Sequence, residues 1–568
     1  MNVYKSIFIL SALFTATTAY SQPLLQDKKD IKADLGFGIE QKLQSTSAAV
    51  SVITHEELKQ TAAINLSEAL YGRLLGLTVL KNGGFSGDDN YGPSLNIRGF
   101  QTLSENGLLI MVDGVKRPID RLTVDEVESV TVLKDAAAVA LLGYQGINGA
   151  LLIKTKRGGE GSLNIDVSYD HKFTFDPKIA DFVDAETYGR AINEARSNDG
   201  LTALYKESEL ALFKSGEDPF FYPNVNWKKE ALKNSGSEDR LNMSIHGSSN
   251  KLKYFTMLNY TSSNGLLKGT DQPDFNSQLK YSKANIRANI DFAVTPTTNM
   301  TVNALASFIE TNEPASGNAN DIMYQIYRLP ASAFPIRTIN GIWGGNQDYT
   351  DANPIARIQD TGKEKTHHRA LYADAKLTQR LDFLTEGLSA SVRMAYDNYS
   401  RINEEHYKSF QYGYTTYAGA IGDKDNINTI TYGDKINSLN YNKWLGNQWR
   451  ASQFSLSIDY QKAIEDHDIA SSLIYNTTSE NGMGRYNTFY RANVMWYLHY
   501  GWRQKVIADL VLAANGSNRS YPEKWSFSPT FSMAYIFANN QDNPVLNFGK
   551  VRASAGIHHS DYVPVRGL

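Results

Sequence analysis

From Leu163 onward the chain alternates, and no other feature limits its fold so sharply. Leu163, Ile165, Val167, Tyr169, Phe173 and Phe175 are apolar or aromatic; Asn164, Asp166, Ser168, Asp170, Lys172 and Thr174 between them are polar. Period-2 alternation sends the two sets to opposite faces of a β-strand. The pattern recurs. Ala284, Ile286, Ala288, Ile290, Phe292 and Val294 form a second set, Thr295 to Asn299 a turn, and Met300, Val302, Ala304, Ala306 and Phe308 a third. Leu388 to Tyr396, Phe454 to Tyr460 and Ile469 to Tyr475 repeat it, the last two joined by the polar turn Glu465 to Asp468. Strands of about 9–11 residues with short turns at one end match those that cross a membrane. The links at the other end are long and polar, as in Asn312 to Lys365 and Tyr399 to Lys443. A soluble sandwich or propeller is the competing reading, but no fixed-period repeat is present and the strands are too long for propeller blades.

Composition fits a barrel. The chain has 568 residues, 33 tyrosines and 24 phenylalanines, yet its mean hydropathy is only −0.39. Aromatic girdles outside a polar lumen give that combination. No cysteine occurs, which excludes disulfides and thiolate metal sites. Lysine plus arginine total 57 and aspartate plus glutamate 60, leaving a net charge of −3 and no basic field for nucleic acid. No segment offers the 18 or so continuous apolar residues of a membrane helix. Residues 1–21 have the form of a secretory signal: Lys5, a short apolar run from Ile7 to Ala16, and small residues at Ala19 and Ser21 before a cut at Gln22. The polar stretch 22–38 is expected to be a mobile tail.

Between the tail and the strands, residues 39–157 read as a small α+β domain. Ala49 to Ile53 is strand-like, and Thr54 with Glu57 makes a capping box. Asn65 with Glu68 repeats the signal, and Leu66, Leu70 and Leu74 form one apolar stripe. Leu108 to Val112, Val127 to Leu133 and Leu151 to Thr155 are further strands; Asp135 opens an alanine-rich helix ending at Gly143.

Within this domain five motifs occur in order. They are Leu74-Leu75-Gly76-Leu77-Thr78-Val79, Leu95-Asn96-Ile97-Arg98-Gly99, and Ile110-Met111-Val112-Asp113-Gly114-Val115. Val127 to Asp135, with Lys134 and Asp135 at its end, and Asn148-Gly149-Ala150 through Lys156 complete the series. Asn515-Gly516-Ser517-Asn518-Arg519, Trp525 to Pro529 and Lys550 to Gly556 add barrel motifs. Together they resemble the SusC/RagA-like TonB-dependent outer-membrane receptors over residues 35 to 556. That resemblance implies an antiparallel membrane β-barrel, of 22 strands in the family, behind an α+β plug. It implies TonB-dependent import of oligosaccharides or peptides, with the TonB-ExbB-ExbD complex and a SusD-like surface lipoprotein as partners. It implies residence in the outer membrane of a Gram-negative bacterium, among its lipids.

Three features depart from the family pattern: to begin with, the family's N-terminal carboxypeptidase-regulatory-like domain is expected to be missing, because the plug-like sequence follows the signal segment almost directly. The Ton-box position, where the inner-membrane complex would pull, holds Ile31-Lys32-Ala33-Asp34-Leu35-Gly36-Phe37-Gly38 rather than a valine-rich run. Residues 158–568 supply about 12–14 membrane strands, so an incomplete barrel is expected, and a truncated or split product that does not transport by itself is the alternative reading.

Other motifs read as structural. Gly143-Tyr144-Gln145-Gly146-Ile147-Asn148-Gly149 lacks the Gly-Lys-Ser/Thr ending of a phosphate loop. Gly87-Asp88-Asp89-Asn90 has calcium-type oxygens but the composition of a solvated loop. His367-His368, placed just before a strand, and His558-His559 near Asp561 are expected to be solvated pairs rather than zinc ligands. No catalytic constellation or cofactor motif is present, so no enzyme activity is expected. Arg98, Gly99, Asp113, Gly114, Lys134, Asp135, Asn148 and Gly149 are the plug-motif residues, with Arg98 and Asp113 expected to pair within the plug or against the barrel wall.

Overall fold

The computed structural model describes residues 31–61, 63–81, 92–99, 107–159, 161, 163–175, 182–316, 319–419, 422–483, 488–520, 524–539, 546 and 548–561. The signal at 1–21 and the Gly87–Asn90 motif lie outside these residues.

A hairpin opens the described chain: β1 (Lys32–Asp34) pairs antiparallel with β2 (Glu40–Lys42). The α+β domain contains β3 (Val50–Thr54), β4 (Leu77–Leu80), β5 (Ser94–Ile97), β6 (Leu109–Val112), β7 (Val115–Lys116), β8 (Val127–Leu133) and β9 (Ala150–Thr155). Five of these form one sheet in the order β3-β8-β9-β6-β7, while β4 and β5 pair separately. The sheet buries Val112, Val130, Val132, Leu151 and Ile153 against Leu58, Leu66, Leu70 and Leu74. The helices are shorter than the sequence suggests. His55–Leu58 starts at the Thr54/Glu57 box, and Asp135 accepts from Ala138 N to start Ala136–Val139. Beyond Val139 the chain tightens into 3₁₀ turns that break at Gly143, whose φ of +61° and ψ of −150° suit only glycine.

The rest of the chain builds a wall. Its strands are β10 (Asn164–Phe175), β11 (Ser235–Ser248), β12 (Leu252–Asn264), β13 (Lys280–Thr295) and β14 (Thr298–Pro314). A short outer strand, β15 (Trp343–Gly344), precedes β16 (Gly362–Arg380) and β17 (Leu388–Tyr407). Next come β18 (Tyr412–Tyr417) and β19 (Ile427–Tyr432), which join β15 in a small separate sheet. The wall resumes with β20 (Asn440–Ile464), β21 (His467–Asn481), β22 (Thr488–Trp502), β23 (Val506–Ser517), β24 (Trp525–Asn539) and β25 (Phe548–Gly556). Thirteen antiparallel strands pair in chain order, with β10 and β25 at the two edges, a count that agrees with the sequence estimate. Short turns lie at one end, such as residues 296–297 and 465–466, and long links at the other. Several strands exceed the membrane length: β20 has 25 residues, continuing into the long-loop end.

The wall is inverted relative to a soluble sheet. Ile286, Met394 and Ile458 are 52%, 61% and 52% exposed, whereas Lys283, Asn285 and Arg287 on the opposite face of β13 are at most 2% exposed. Water does not favour a surface with its apolar side chains outward over five or more strands. Lipid does, and the wall's polar side closes on the plug instead.

Candidate functional site

The buried polar side of the wall and the plug surface it faces form the candidate site. Asp113 and Gly114 make the two-residue turn between β6 and β7, where Val112 pairs with Val115. Both have positive φ, +51° and +84°, as such a tight hairpin needs, and glycine meets that need without strain. The wall grips this tip: Arg393 donates to the Asp113 carbonyl and Gln453 Nε2 to the Gly114 carbonyl at 3.1 Å. A Cβ at Gly114 would lie 2.5 Å from Arg393 Nη1.

The Asp113 carboxylate turns inward. It accepts from Thr155 N at 3.0 Å and Thr155 Oγ1 at 2.6 Å, with Arg287 Nη1 4.0 Å away. Burial pushes this carboxyl up, but Arg287, Arg157 and the Thr155 bonds outweigh it and hold the group below the usual carboxylate value. Arg98 behaves differently. It is exposed at φ +59°, its N–H donating to the Gly76 carbonyl at 3.1 Å, and among the described residues it makes no ion pair. Arg98-Gly99 forms a backbone turn, with Gly99 at φ +82°.

Three plug charges that the sequence did not single out anchor the domain. Arg117 spans Asp374 at 2.8 Å and Asp397 at 2.9 Å, with all three side chains at most 4% exposed. Burial opposes the Arg117 charge, and the two aspartates overcome it and raise its pKa. Glu126 meets Arg287 Nε at 2.5 Å in an equally dry setting. Arg157 reaches Asp291 at 2.8 Å. Each wall partner sits on the polar face of an alternating strand, where its type looked like that of any neighbour.

Lys134, Asp135, Asn148 and Gly149 organise the plug itself. Lys134 Nζ ties Ser51 Oγ at 2.6 Å to the Leu75 carbonyl at 3.0 Å. Asp135 accepts from Ala49 N and lies 3.7 Å from Arg552 on β25. Asn148 Nδ2 contacts the Gly107 carbonyl at 3.4 Å. Gly149 passes so close to Ile97 that a Cβ there would lie 2.6 Å from its Cδ1. The Gly143 segment seats the plug on the wall: Tyr144 Oη donates to the Asn515 carbonyl at 2.8 Å.

Residues 31–38 are folded, which corrects the expectation of a mobile tail through residue 38. Ala33 and Leu35 are buried, Asp34 Oδ1 accepts from Gly36 N at 2.8 Å, and Gly36-Phe37-Gly38 turn with positive φ. Phe37 and Ile39 pack on Ile474, Met495 and Tyr497 of the wall. Just beyond, Gln41 Nε2 lies 2.5 Å from Tyr497 Oη and 3.0 Å from Asp509. Lys550 Nζ donates to the Leu43, Gln44 and Thr46 carbonyls. A cavity of about 1010 Å³ opens beside the hairpin at the short-turn end, lined among others by Lys32, Gln44, Asp459 and Arg503. On the plug's other side a cavity of about 450 Å³ lies between Ile110, Lys116 and Arg117 and the wall residues Trp449, Gln453 and Glu480.

The histidine motifs are engaged by neighbours. His367 and His368 lie inside β16 rather than before it; His367 faces Glu310 at 3.2 Å, and His368 Nδ1 is 2.8 Å from Tyr399 Oη. Asp561 pairs with Arg491 at 2.7 Å, while His558 and His559 lie 3.3 Å from Thr530 and Ser528.

Residues 42–150 match the family model described as TonB-dependent Receptor Plug Domain. TonB-dependent receptor P26 of Formosa agariphila is 23% identical over 559 residues, which is 92% of this chain and 52% of that protein. TonB-dependent receptor SusC of Bacteroides thetaiotaomicron is 26% identical over 287 residues, 48% of this chain and 26% of that protein. A structure of the RagAB peptide importer in the open-open state has the same fold, with TM-score 0.70 and 14% identity, covering 95% of this chain and 62% of that one. The chain spans about half the length of the curated relatives P26 and P3 that it matches.

Proposed function

Because this chain is a SusC/RagA-like TonB-dependent receptor of the outer membrane, we propose that it serves active import of oligosaccharides or peptides through a plugged barrel. One observation carries the reading. A folded domain is clamped by buried ion pairs to the polar face of a wall whose apolar face points outward. Backbone groups in lipid must be paired within the sheet, so a solute has to travel along the polar face, and the plug stands there.

Moving it needs work from outside, and residues 31–38 are where that work enters. They precede the plug sheet, and the short β1–β2 ladder pairs only three residues on each side. Pulling there loads the hairpin before it loads Arg117 or Glu126. The TonB-ExbB-ExbD complex supplies the pull in this reading, and a SusD-like lipoprotein covers the long-loop end. RagAB, a peptide importer by name, supports peptides as substrates, and SusC, a TonB-dependent receptor by name, supports coupling to TonB.

The test is uptake by native cells of labelled oligosaccharide and peptide pools, with TonB present and with TonB deleted. Accumulation that requires both this receptor and TonB is expected. Equal uptake in the TonB-deleted cells would overturn active import.

A further inference from the structure

The outward face of the wall is apolar only up to a boundary near the long-loop end. Phe308 on β14 pairs in register with Arg369 on β16, and on the short-turn side of that pair Ile286, Leu371 and Met394 are exposed. Toward the long loops every second residue of β16 is basic: Lys363, Lys365, His367 and Arg369 share the face of Leu371. Register extends the patch sideways. Lys365 is level with Asn312 and Lys280 on one side and with Glu404 and Lys443 on the other. Arg450 is level with Leu371 through Asn398.

Lys280, Lys363, Lys365, Arg369, Lys443 and Arg450 thus share this face with only two carboxylates, Glu310 and Glu404. Lys365 bonds Glu310 at 3.0 Å, Lys443 pairs with Glu404, and His367 stands between the carboxylates at 3.2 Å and 3.7 Å. Among the described residues the side chains of Lys280, Lys363, Arg369 and Arg450 make no ion pair. A cavity of about 330 Å³ opens in the patch, lined by Ser262, Lys280, Ser282, Glu310, Lys363 and Lys365. The rest of the outward face is different: on β21 to β24 it holds no lysine or arginine, and residues such as Tyr490, Trp496, Phe527 and Phe531 occupy it.

Outward residues on one strand are about 7 Å apart, and strands are about 4.8 Å apart. Neighbouring cations therefore lie within a Debye length of about 8 Å and repel unless an anion joins them. One or two basic residues at the edge of an apolar band anchor a barrel at the interface; a concave cluster with four uncommitted cations asks for a multivalent anion. Phosphate suits it, because lysine and arginine make charge-assisted hydrogen bonds to its oxygens. Position selects the source. A free anion would use the cations alone, whereas a lipid also uses the apolar face that begins at Phe308.

We propose that this patch binds the phosphate groups of an outer-leaflet lipid, whose acyl chains lie along Ile286, Leu371 and Met394. The site is on the outside of the wall, away from the plug, and is independent of what the receptor imports.

The test is native mass spectrometry of the purified full receptor. It is mixed in detergent with phosphorylated lipid A, with the same lipid after phosphatase treatment, or with inorganic phosphate. The phosphorylated lipid is expected to be retained several-fold more than the treated lipid, and inorganic phosphate to give no adduct. The triple variant K363Q/R369Q/R450Q is expected to lose that preference while its barrel stays heat-modifiable. Lys462→Gln, which removes an outward cation at the short-turn end, is expected to keep it. Equal retention of the two lipids by the unmodified receptor, or an inorganic phosphate adduct as abundant as the lipid's, would overturn the proposal whether or not the triple variant assembles. So would an assembled triple variant with the full preference.

Discussion

The plug rests on two amide rows of the wall, and they are treated in opposite ways. On β22 and β23, Asn493 and Asn515 pair in register and the plug backbone closes on them: a Cβ at Gly143 would lie 3.0 Å from both Oδ1 atoms. On β11 to β14 the wall reaches out instead: Asn285 Nδ2 donates to the Arg121 carbonyl at 2.6 Å, and Lys283 Nζ to the Asp120 and Leu122 carbonyls at 3.1 and 3.3 Å. Polar wall side chains therefore meet the plug through close backbone packing at one place and through donated hydrogen bonds at the other. At the first seat the deciding residue is on the plug, where a glycine in a conformation closed to side chains brings main chain to the wall; at the second it is on the wall, whose donors take up the plug's carbonyls. Between the rows, ion pairs set the strength of attachment.

Arg117→Leu should break this arrangement most severely. It leaves Asp374 and Asp397 buried together without a counter-charge, a loss of about 3–5 kcal/mol. Urea titration of plug protection, read by limited proteolysis in detergent, should show the midpoint falling sharply with the barrel still assembled. Gly143→Ala comes next, at roughly 1–3 kcal/mol, from backbone strain of the kind only glycine avoids. Its effect should centre on the tight seat, seen as faster amide exchange at 140–146 with 119–126 unchanged.

Acid provides a third measure. Asp113 is held below the usual carboxylate value, so its stabilisation is fully present above the unfolded pKa of about 3.9 and is lost as pH falls through the lower folded value. Asp113→Asn should therefore weaken the plug at neutral pH and flatten the acid limb of its stability profile. A parallel acid limb in the variant would show that Asp113 does not contribute.

The smallest effect sharpens the contrast between neighbouring amides. Asn289 donates to Thr155 Oγ1 at 2.8 Å and to the Lys156 carbonyl at 2.7 Å, so Asn289→Leu should cost about 1–3 kcal/mol. Asn259 has no such plug bond, and Asn259→Leu should change stability by less than about 1 kcal/mol. Equal losses in urea titration would erase the distinction between plug-bonded amides and those without a plug bond.

Much of this fold was legible because alternation survives folding unchanged. Ile286, Met394 and Ile458 were assigned to one face of their strands, and that face points outward. The plug strands were visible from apolar runs, and the Thr54 and Asp135 caps from their side-chain chemistry. The anchors were not legible. Asp397 and Asn285 occupy a face where every second residue is polar, so only the approach of Arg117 or Arg121 separates a clamp from a bystander. The left-handed backbone turn at Arg98 was also not legible, because an arginine does not announce a positive φ. The 32–42 hairpin was missed because a three-residue strand carries no measurable period, and burial of Leu35 depends on residues distant in sequence, among them Leu109, Leu133 and Val139.

Deleting Ile31 to Gly38 tests the central proposal most directly, that the plug is a gate worked through residues 31–38. In native cells the deletion should abolish uptake while heat-modifiable barrel assembly and substrate binding at the cell surface persist. Uptake at the unmodified rate would contradict the account, because the plug would then be moving without its hairpin.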